Sequence, residues 1–257
     1  MRTLILLLAA LAPTALSAAT LEADVDFWRP TLDAEFRTDT SSGPGTELRL
    51  TDLGMDPTQE VFFPSLRINL LRQSLRAEFK SIEYEGVAQI PLLSPILVGD
   101  QNYVGTIKTW MLTERCHLDY IFSILSVSRL RLGVGLTLGG TRYLIRVSGV
   151  NPPLPSEKVD TFAPCAGFCV ELDVRPLKWV GVRVLVSGVS FSSHDQDIVL
   201  VRYLRLNASA YYSPNPAVVF HAGLQGRSID FRDVTEDDSV YYRETISGLY
   251  TGVSIRF

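Results

Sequence analysis

From position 28 onward the chain alternates apolar and polar residues with a period of two. In WRPTLDAEF, Trp28, Pro30, Leu32, Ala34 and Phe36 share one side of an extended chain, while Arg29, Thr31, Asp33, Glu35 and Arg37 share the other. The contrast returns along the sequence. Leu66, Ile68 and Leu70 oppose Arg67 and Asn69; Leu75, Ala77 and Phe79 oppose Arg76, Glu78 and Lys80; Cys116, Leu118, Tyr120 and Phe122 oppose Arg115, His117 and Asp119. Leu130 to Leu138 oppose Arg131 and three glycines. Phe168, Val170 and Leu172 oppose Cys169, Glu171 and Asp173, and Val182 and Val184 flank Arg183. Leu204 and Leu206 oppose Arg205. Phe220, Ala222 and Leu224 oppose His221, Gln225 and Arg227. The last segment places Thr251, Val253, Ile255 and Phe257 opposite Tyr250, Ser254 and Arg256. The pattern predicts ten strands, and the apolar sides are expected to face lipid. Eight or twelve are the alternative divisions, because 103–125 and 129–147 are long enough to be split differently.

The connections also alternate. Short turns fall near 71–73, 126–128, 175–178 and 213–216, and longer polar connections near 38–60, 87–103, 148–160 and 232–241, with a shorter link at 192–197. Short turns at one rim and long loops at the other are the pattern of an up-and-down antiparallel transmembrane β-barrel. With an even strand number both termini lie at the short-turn rim, where Trp28, Trp179, Tyr211, Tyr212 and Phe257 are expected as an aromatic girdle. Pro30, Pro64 and Pro164 break the pattern and predict bulges, or segments above the hydrocarbon. Between Arg142 and Arg146 the phase flips, which predicts another bulge or a strand that has left the membrane.

Composition narrows the class. Met1-Arg2, an apolar run from Leu4 to Ala12 and small residues at Ser17-Ala18-Ala19 read as a signal peptide over 1–19, leaving 20–257 as one barrel domain. Without Arg2 the formal charge falls from −4 to −5, so bulk charge excludes a basic nucleic-acid binder. Three cysteines are too few for a disulfide scaffold.

The terminal aromatic Phe257 resembles the C-terminal signature of bacterial outer-membrane proteins, and GTELRLTDLGMD (45–56) is similar to a first-loop motif of uncharacterised bacterial barrel proteins. The resemblance implies residence in the outer membrane, contact with its lipid, and recognition of Phe257 by the barrel assembly machinery. In a closed barrel the last strand must also pair with the first, so Phe257 is expected at the closure.

The chemistry is expected in the lumen. Its predicted polar network comprises Arg29, Asp33, Glu35, Arg67, Arg76, Glu78, Arg115, His117, Asp119, Arg131, Glu171, Asp173, Arg183, Arg205, His221 and Arg227. Inward cations outnumber inward carboxylates about two to one in this reading. Two functions compete: a structural barrel whose side chains fill the interior, and a narrow, weakly anion-preferring passive pore. An outer-membrane hydrolase acting on lipid or peptide and a loop-mediated surface-binding protein are the alternatives from other classes. Ser193-His194-Asp195 invites a triad, but adjacent side chains diverge and the stretch reads as a solvated turn. Cys165 and Cys169 stand roughly 13 Å apart on one strand face, too far for a disulfide or a shared zinc ion. No catalytic residue, metal or cofactor is expected.

Overall fold

The computed structural model describes residues 19–39, 43–192, 198–234 and 239–257. Residues 1–18 of the expected signal segment 1–19, the Ser193-His194-Asp195 stretch and residues 235–238 of the expected connection 232–241 lie outside the described residues. The strands are β1 (Ala19–Asp39), β2 (Leu48–Arg49), β3 (Val61–Leu70), β4 (Gln73–Ile90), β5 (Ile96–Val98), β6 (Gln101–Tyr103), β7 (Gly105–Val127), β8 (Leu130–Asn151), β9 (Pro153–Leu177), β10 (Val180–Ser192), β11 (Ile198–Asn215), β12 (Val218–Val234) and β13 (Ser239–Arg256).

Ten of them close an antiparallel ring in sequence order, β1-β3-β4-β7-β8-β9-β10-β11-β12-β13, with β13 paired back to β1 from Glu22↔Arg256 to Asp39↔Ser239. Closure runs to the final residue: Leu21 and Phe257 exchange backbone hydrogen bonds of 3.1 and 2.9 Å. The Phe257 side chain itself is exposed. Ala19 pairs with Leu70, so the start of β1 and the end of β13 lie at the rim that carries the short turns.

The strands are longer than a membrane requires. About 9–11 tilted residues cross the hydrocarbon, whereas β1 has 21, β7 23, β8 22 and β9 25. The excess produces two storeys with opposite polarity. In the lower storey, near the short turns, Leu21, Val25, Leu66, Phe79, Leu118, Tyr120, Leu136, Phe168, Leu204, Phe220 and Val253 face outward and are exposed, while charged side chains face in. In the upper storey Trp28, Leu32, Phe36, Ile82, Tyr84, Ile107, Met111, Tyr143, Ile145, Phe231 and Tyr242 face in and are buried. There the outside is polar. The backbone keeps its phase; the medium outside changes from lipid to water, so the preferred side for apolar residues reverses.

The storey change corrects the first strand. Trp28, Leu32, Ala34 and Phe36 line the interior, and Arg29 and Asp33 are exposed on the outer wall, with Glu35 half-buried there in contact with Arg49. It also explains Arg142–Arg146, where β8 holds its register with β7 and β9 because the strand has risen above the belt. Trp28 therefore does not join a girdle at the short-turn rim, and Tyr211 points inward to Asp173; Trp179 and Tyr212 do meet there, edge to face at 5.6 Å.

The prolines carry no bulge. Each lies in continuous register with one neighbour, opposite Gly248, Val25 and Gly140 respectively. Each also lies at or beyond the end of another ladder: β1–β3 stops at Trp28, β3–β4 at Ser65 and β9–β10 at Phe168. A residue without an N–H fits beside such an ended ladder. The expected loop at 148–160 is instead paired hairpin, with β8 and β9 meeting at Pro152.

The 45–56 motif acquires a structural role. Because β3 leaves β4 at Ser65, a gap opens in the upper wall between β1 and β4. Residues of the β1–β3 connection fill it. Leu48 and Arg49 pair with Phe36 and Glu35, Thr58 bridges Thr31, and Met55 bridges Gly86. Leu48, Leu50, Leu53 and Met55 turn into the core. A Cβ at Gly86 would stand 2.5 Å from the Leu53 carbonyl oxygen and 2.7 Å from the Met55 nitrogen, so glycine is needed for the insert to lie against β4. The β5–β6 hairpin adds Ile96, Val98 and Tyr103 to the same core. The Tyr103 hydroxyl donates to Pro155 O at 2.8 Å and accepts from Glu157 N at 3.0 Å, which ties the hairpin to β9.

Candidate functional site: an ionic lumen

Most of the expected lumen residues come together in the lower storey. Arg67 forms an ion pair with Glu171 at 2.5 Å, with both side chains buried. Arg205 donates to both Asp119 oxygens, at 2.6 and 2.5 Å, and to Ser187 Oγ at 3.1 Å. Glu78 lies between Arg76 at 3.1 Å and Lys80 at 2.8 Å. Arg183 reaches Asp173 at 3.5 Å, and His117 Nε2 bonds to the Tyr203 hydroxyl at 3.0 Å. Arg131 donates to Ser123 Oγ at 2.5 Å. Cys165 and Cys169 also face in, buried and free. Arg29, Asp33 and Glu35 stand outside this set, on the outer wall of the upper storey.

Several members were not legible as lumen residues. Glu244 receives Arg115 at 3.0 Å, Arg227, and the Tyr242 hydroxyl at 3.0 Å, with no exposed surface of its own. Glu22, Asp24 and Asp26 occupy alternate inward positions at the start of β1, and Glu22 receives Arg256 at 2.7 Å. Their signal is present in LEADVDF, where Leu21, Val25 and Phe27 alternate with the three acids. With these included, and Arg29, Arg37, Asp33 and Glu35 removed, the inward-facing charges of the lower lumen are ten cationic against eight acidic among the described residues. The twofold cationic excess disappears.

Space is scarce. One cavity near the short-turn rim, among Asp24, Arg67, Arg183 and His221, measures about 30 Å³. Another, among Glu78, Lys80, His117 and Arg205, measures about 10 Å³. These hold one or two water molecules. Above them Lys80 Nζ sits 4.0 Å from the Phe63 ring centroid and 4.7 Å from that of Trp28. This marks the base of the apolar plug, where a cation faces aromatic π clouds as the polar partners end.

One arrangement has the elements of nucleophilic catalysis. On the adjacent strands β12, β13 and β1, Ser254 Oγ lies 3.3 Å from His221 Nδ1, and His221 Nε2 lies 2.5 Å from Asp26 Oδ1. Ser254 is 1% exposed, and the neighbouring cavity admits water but no acyl group. The backbone N–H groups of these strands serve the ladders, which leaves no pair for an oxyanion. The trio reads as a cross-strand latch. Among the described residues no group of three or more His, Cys, Asp or Glu side chains is placed to hold a metal ion.

A closed antiparallel ring of ten strands with a greasy outer belt and an ionic interior is the fold of the transmembrane β-barrels of bacterial outer membranes. No family model matches the sequence, and no curated protein matches it either. Among solved structures, the outer-membrane protease OmpT from Escherichia coli is similar with a TM-score of 0.58 at 10% identity, covering 93% of this chain and 97% of that one. The transport unit of the autotransporter AIDA-I from Escherichia coli gives 0.43 at 9% identity, covering 99% and 97%. Ail of Yersinia pestis gives 0.32 at 11%, covering 92% and 99%. The first likeness supports the ten-stranded fold; at these identities none transfers an activity.

Proposed function

We propose that the protein is an integral outer-membrane barrel with a non-conducting lumen, a structural and surface-presenting protein rather than a pore or a hydrolase. The observation that carries this reading is the apolar plug of the upper storey. Leu50, Leu53, Tyr84, Tyr103, Met111 and Phe231 lie across the barrel above the ionic network and are at most 2% exposed. An ion would have to cross both a closed salt-bridge lattice and a dry core, and a buried charge without a partner costs many kcal/mol. The near balance of inward charge also removes the basis for anion preference. In this reading the short-turn rim and both termini face the periplasm, the long strands extend outside the cell, and Phe257 serves the assembly machinery as well as the β1–β13 closure.

Single-channel recording on the mature protein in planar bilayers tests the proposal. The expected result is a silent trace. Reproducible unitary steps, absent from a parallel preparation of membrane-inserted but heat-unfolded protein, would overturn it.

A further inference from the structure

The outer wall above the belt carries one recess that the sealed lumen does not explain. It measures about 300 Å³ and is formed on β4, β7 and β8 by Glu85, Lys108, Trp110, Arg146 and Ser148. That volume is at the lower end for a small-molecule site. Two cross-strand rows build it: Glu85, Trp110 and Arg146 lie side by side, and Lys108 and Ser148 lie in the row above. Trp110 is fixed by its indole N–H, which donates to Glu83, and the Arg146 guanidinium sits 5.9 Å from the ring centroid. Lys108 meets Glu85 at 3.6 Å. Among the described residues no carboxylate is paired with Arg146, although nearby Arg142 engages both Glu114 and Asp160.

Height selects the ligand class. The belt ends at the row of Glu114, Arg142 and Phe162. Arg146 is four residues further along a tilted strand, about 10 Å above that edge. A phospholipid headgroup layer is only about 5–8 Å deep, so a lipid reaching this recess needs a larger head. An indole fixed in the wall of a recess takes a sugar ring, and a guanidinium without a carboxylate takes phosphate in a bidentate grip. We propose that the recess binds the phosphorylated saccharide head of a glycolipid in the surrounding leaflet, with Trp110 stacking on a hexose and Arg146 holding its phosphate. Ser148 and Glu85 then serve the sugar hydroxyls. The inference rests on the outward orientation of the long strands proposed above.

The test uses delipidated full-length protein in neutral detergent, titrated with lipopolysaccharide, with its enzymatically dephosphorylated form and with phosphatidylglycerol, and read by native mass spectrometry. The phosphorylated glycolipid is expected to bind about tenfold more tightly than the other two, and Arg146→Ala and Trp110→Ala are each expected to lose about tenfold. Arg146→Ala keeps the test decisive if Trp110→Ala misfolds, because Arg146 is exposed. Equal affinity of wild type and Arg146→Ala overturns the site, as does full displacement of the glycolipid by millimolar inorganic phosphate, or equal binding of phosphatidylglycerol. Orientation is read separately, by labelling Leu93→Cys in a Cys116→Ser background on intact cells with an impermeant maleimide. Absence of label there sinks the orientation and leaves the micelle titration standing.

Discussion

Removing the charge of Glu244 should be among the most damaging single changes in the barrel. Glu244 is fully buried and is the shared acceptor for Arg115, Arg227 and the Tyr242 hydroxyl. Glu244→Gln keeps the shape and leaves two buried guanidinium groups against an amide. Breaking a buried pair from one side costs about 3–5 kcal/mol, because the stranded charge retains its desolvation penalty. The two arginines differ in what remains to them. Arg227 still donates to Thr141 Oγ1 at 2.5 Å and to the Tyr143 hydroxyl at 3.2 Å, whereas among the described residues the Arg115 side chain has its ion pair with Glu244 and leaves its Nε unpartnered. The Glu244→Gln/Arg115→Met double variant should therefore be more stable than Glu244→Gln alone, with a coupling of about 1–3 kcal/mol. Equilibrium urea unfolding in detergent, followed by tryptophan fluorescence and by heat-modifiable gel mobility, measures both quantities. A Glu244→Gln loss below about 1 kcal/mol, or a double variant no better than the single, would refute the view that this network is dry and closed.

Gly252→Val should break the His221–Asp26 link, since a Cβ at 252 would stand 2.0 Å from Asp26 Oδ1 and 2.5 Å from His221 Nε2. The overpacking should cost about 1–3 kcal/mol, and the histidine NMR signals should lose their mutual dependence with Asp26→Asn. Leu53→Ala should cost about 2–5 kcal/mol in the same urea assay, because Leu53 is wholly buried in the insert that patches the upper wall; a loss near zero would mean that the patch is not part of the core. Asp160, above the belt, is held down to about 2 by its bond from Arg142 and then by Lys158. Its folded value lies below the unfolded one of about 3.9, so its small contribution is present above that value and fades as pH falls through about 2. Asp160→Asn should flatten the acid limb of a stability–pH curve, and an unchanged limb would count against the pairing.

The ten-stranded ring was legible in the sequence because alternation over a lipid belt leaves little choice of phase, as Leu118, Tyr120 and Phe122 against His117 and Asp119 show. The first strand was not. Its conspicuous residues, Trp28, Leu32 and Phe36, belong to the upper storey, where apolar means inward. Assigning them to lipid reversed Arg29, Asp33 and Glu35 and hid Glu22, Asp24 and Asp26 just before them. Extending the alternation back through LEADVDF settles the phase, since three acids cannot face hydrocarbon. Glu244 escaped notice because Tyr242, Glu244 and Ile246 are all inward, a mixture that matches neither storey's pattern. The role of the 45–56 motif depends on where β3 leaves β4, which no local pattern encodes.

The two storeys also imply two different sources of stability. Below, side chains such as Phe168 and Leu204 are exposed to the surrounding medium and gain from lipid, while the interior is held by charged pairs whose attraction must offset their own desolvation. Above, polar residues face water and Leu50, Tyr84 and Phe231 bury apolar surface, as in a water-soluble barrel. The upper core should therefore form from the hydrophobic effect whether or not a membrane surrounds it, and it sits over the region where the ionic network would otherwise meet solvent. The plug excludes water from the salt bridges, which strengthens them, and the salt bridges fix the strands whose upper ends carry the plug. Each storey makes the other more favourable, and this coupling supports the non-conducting lumen proposed above.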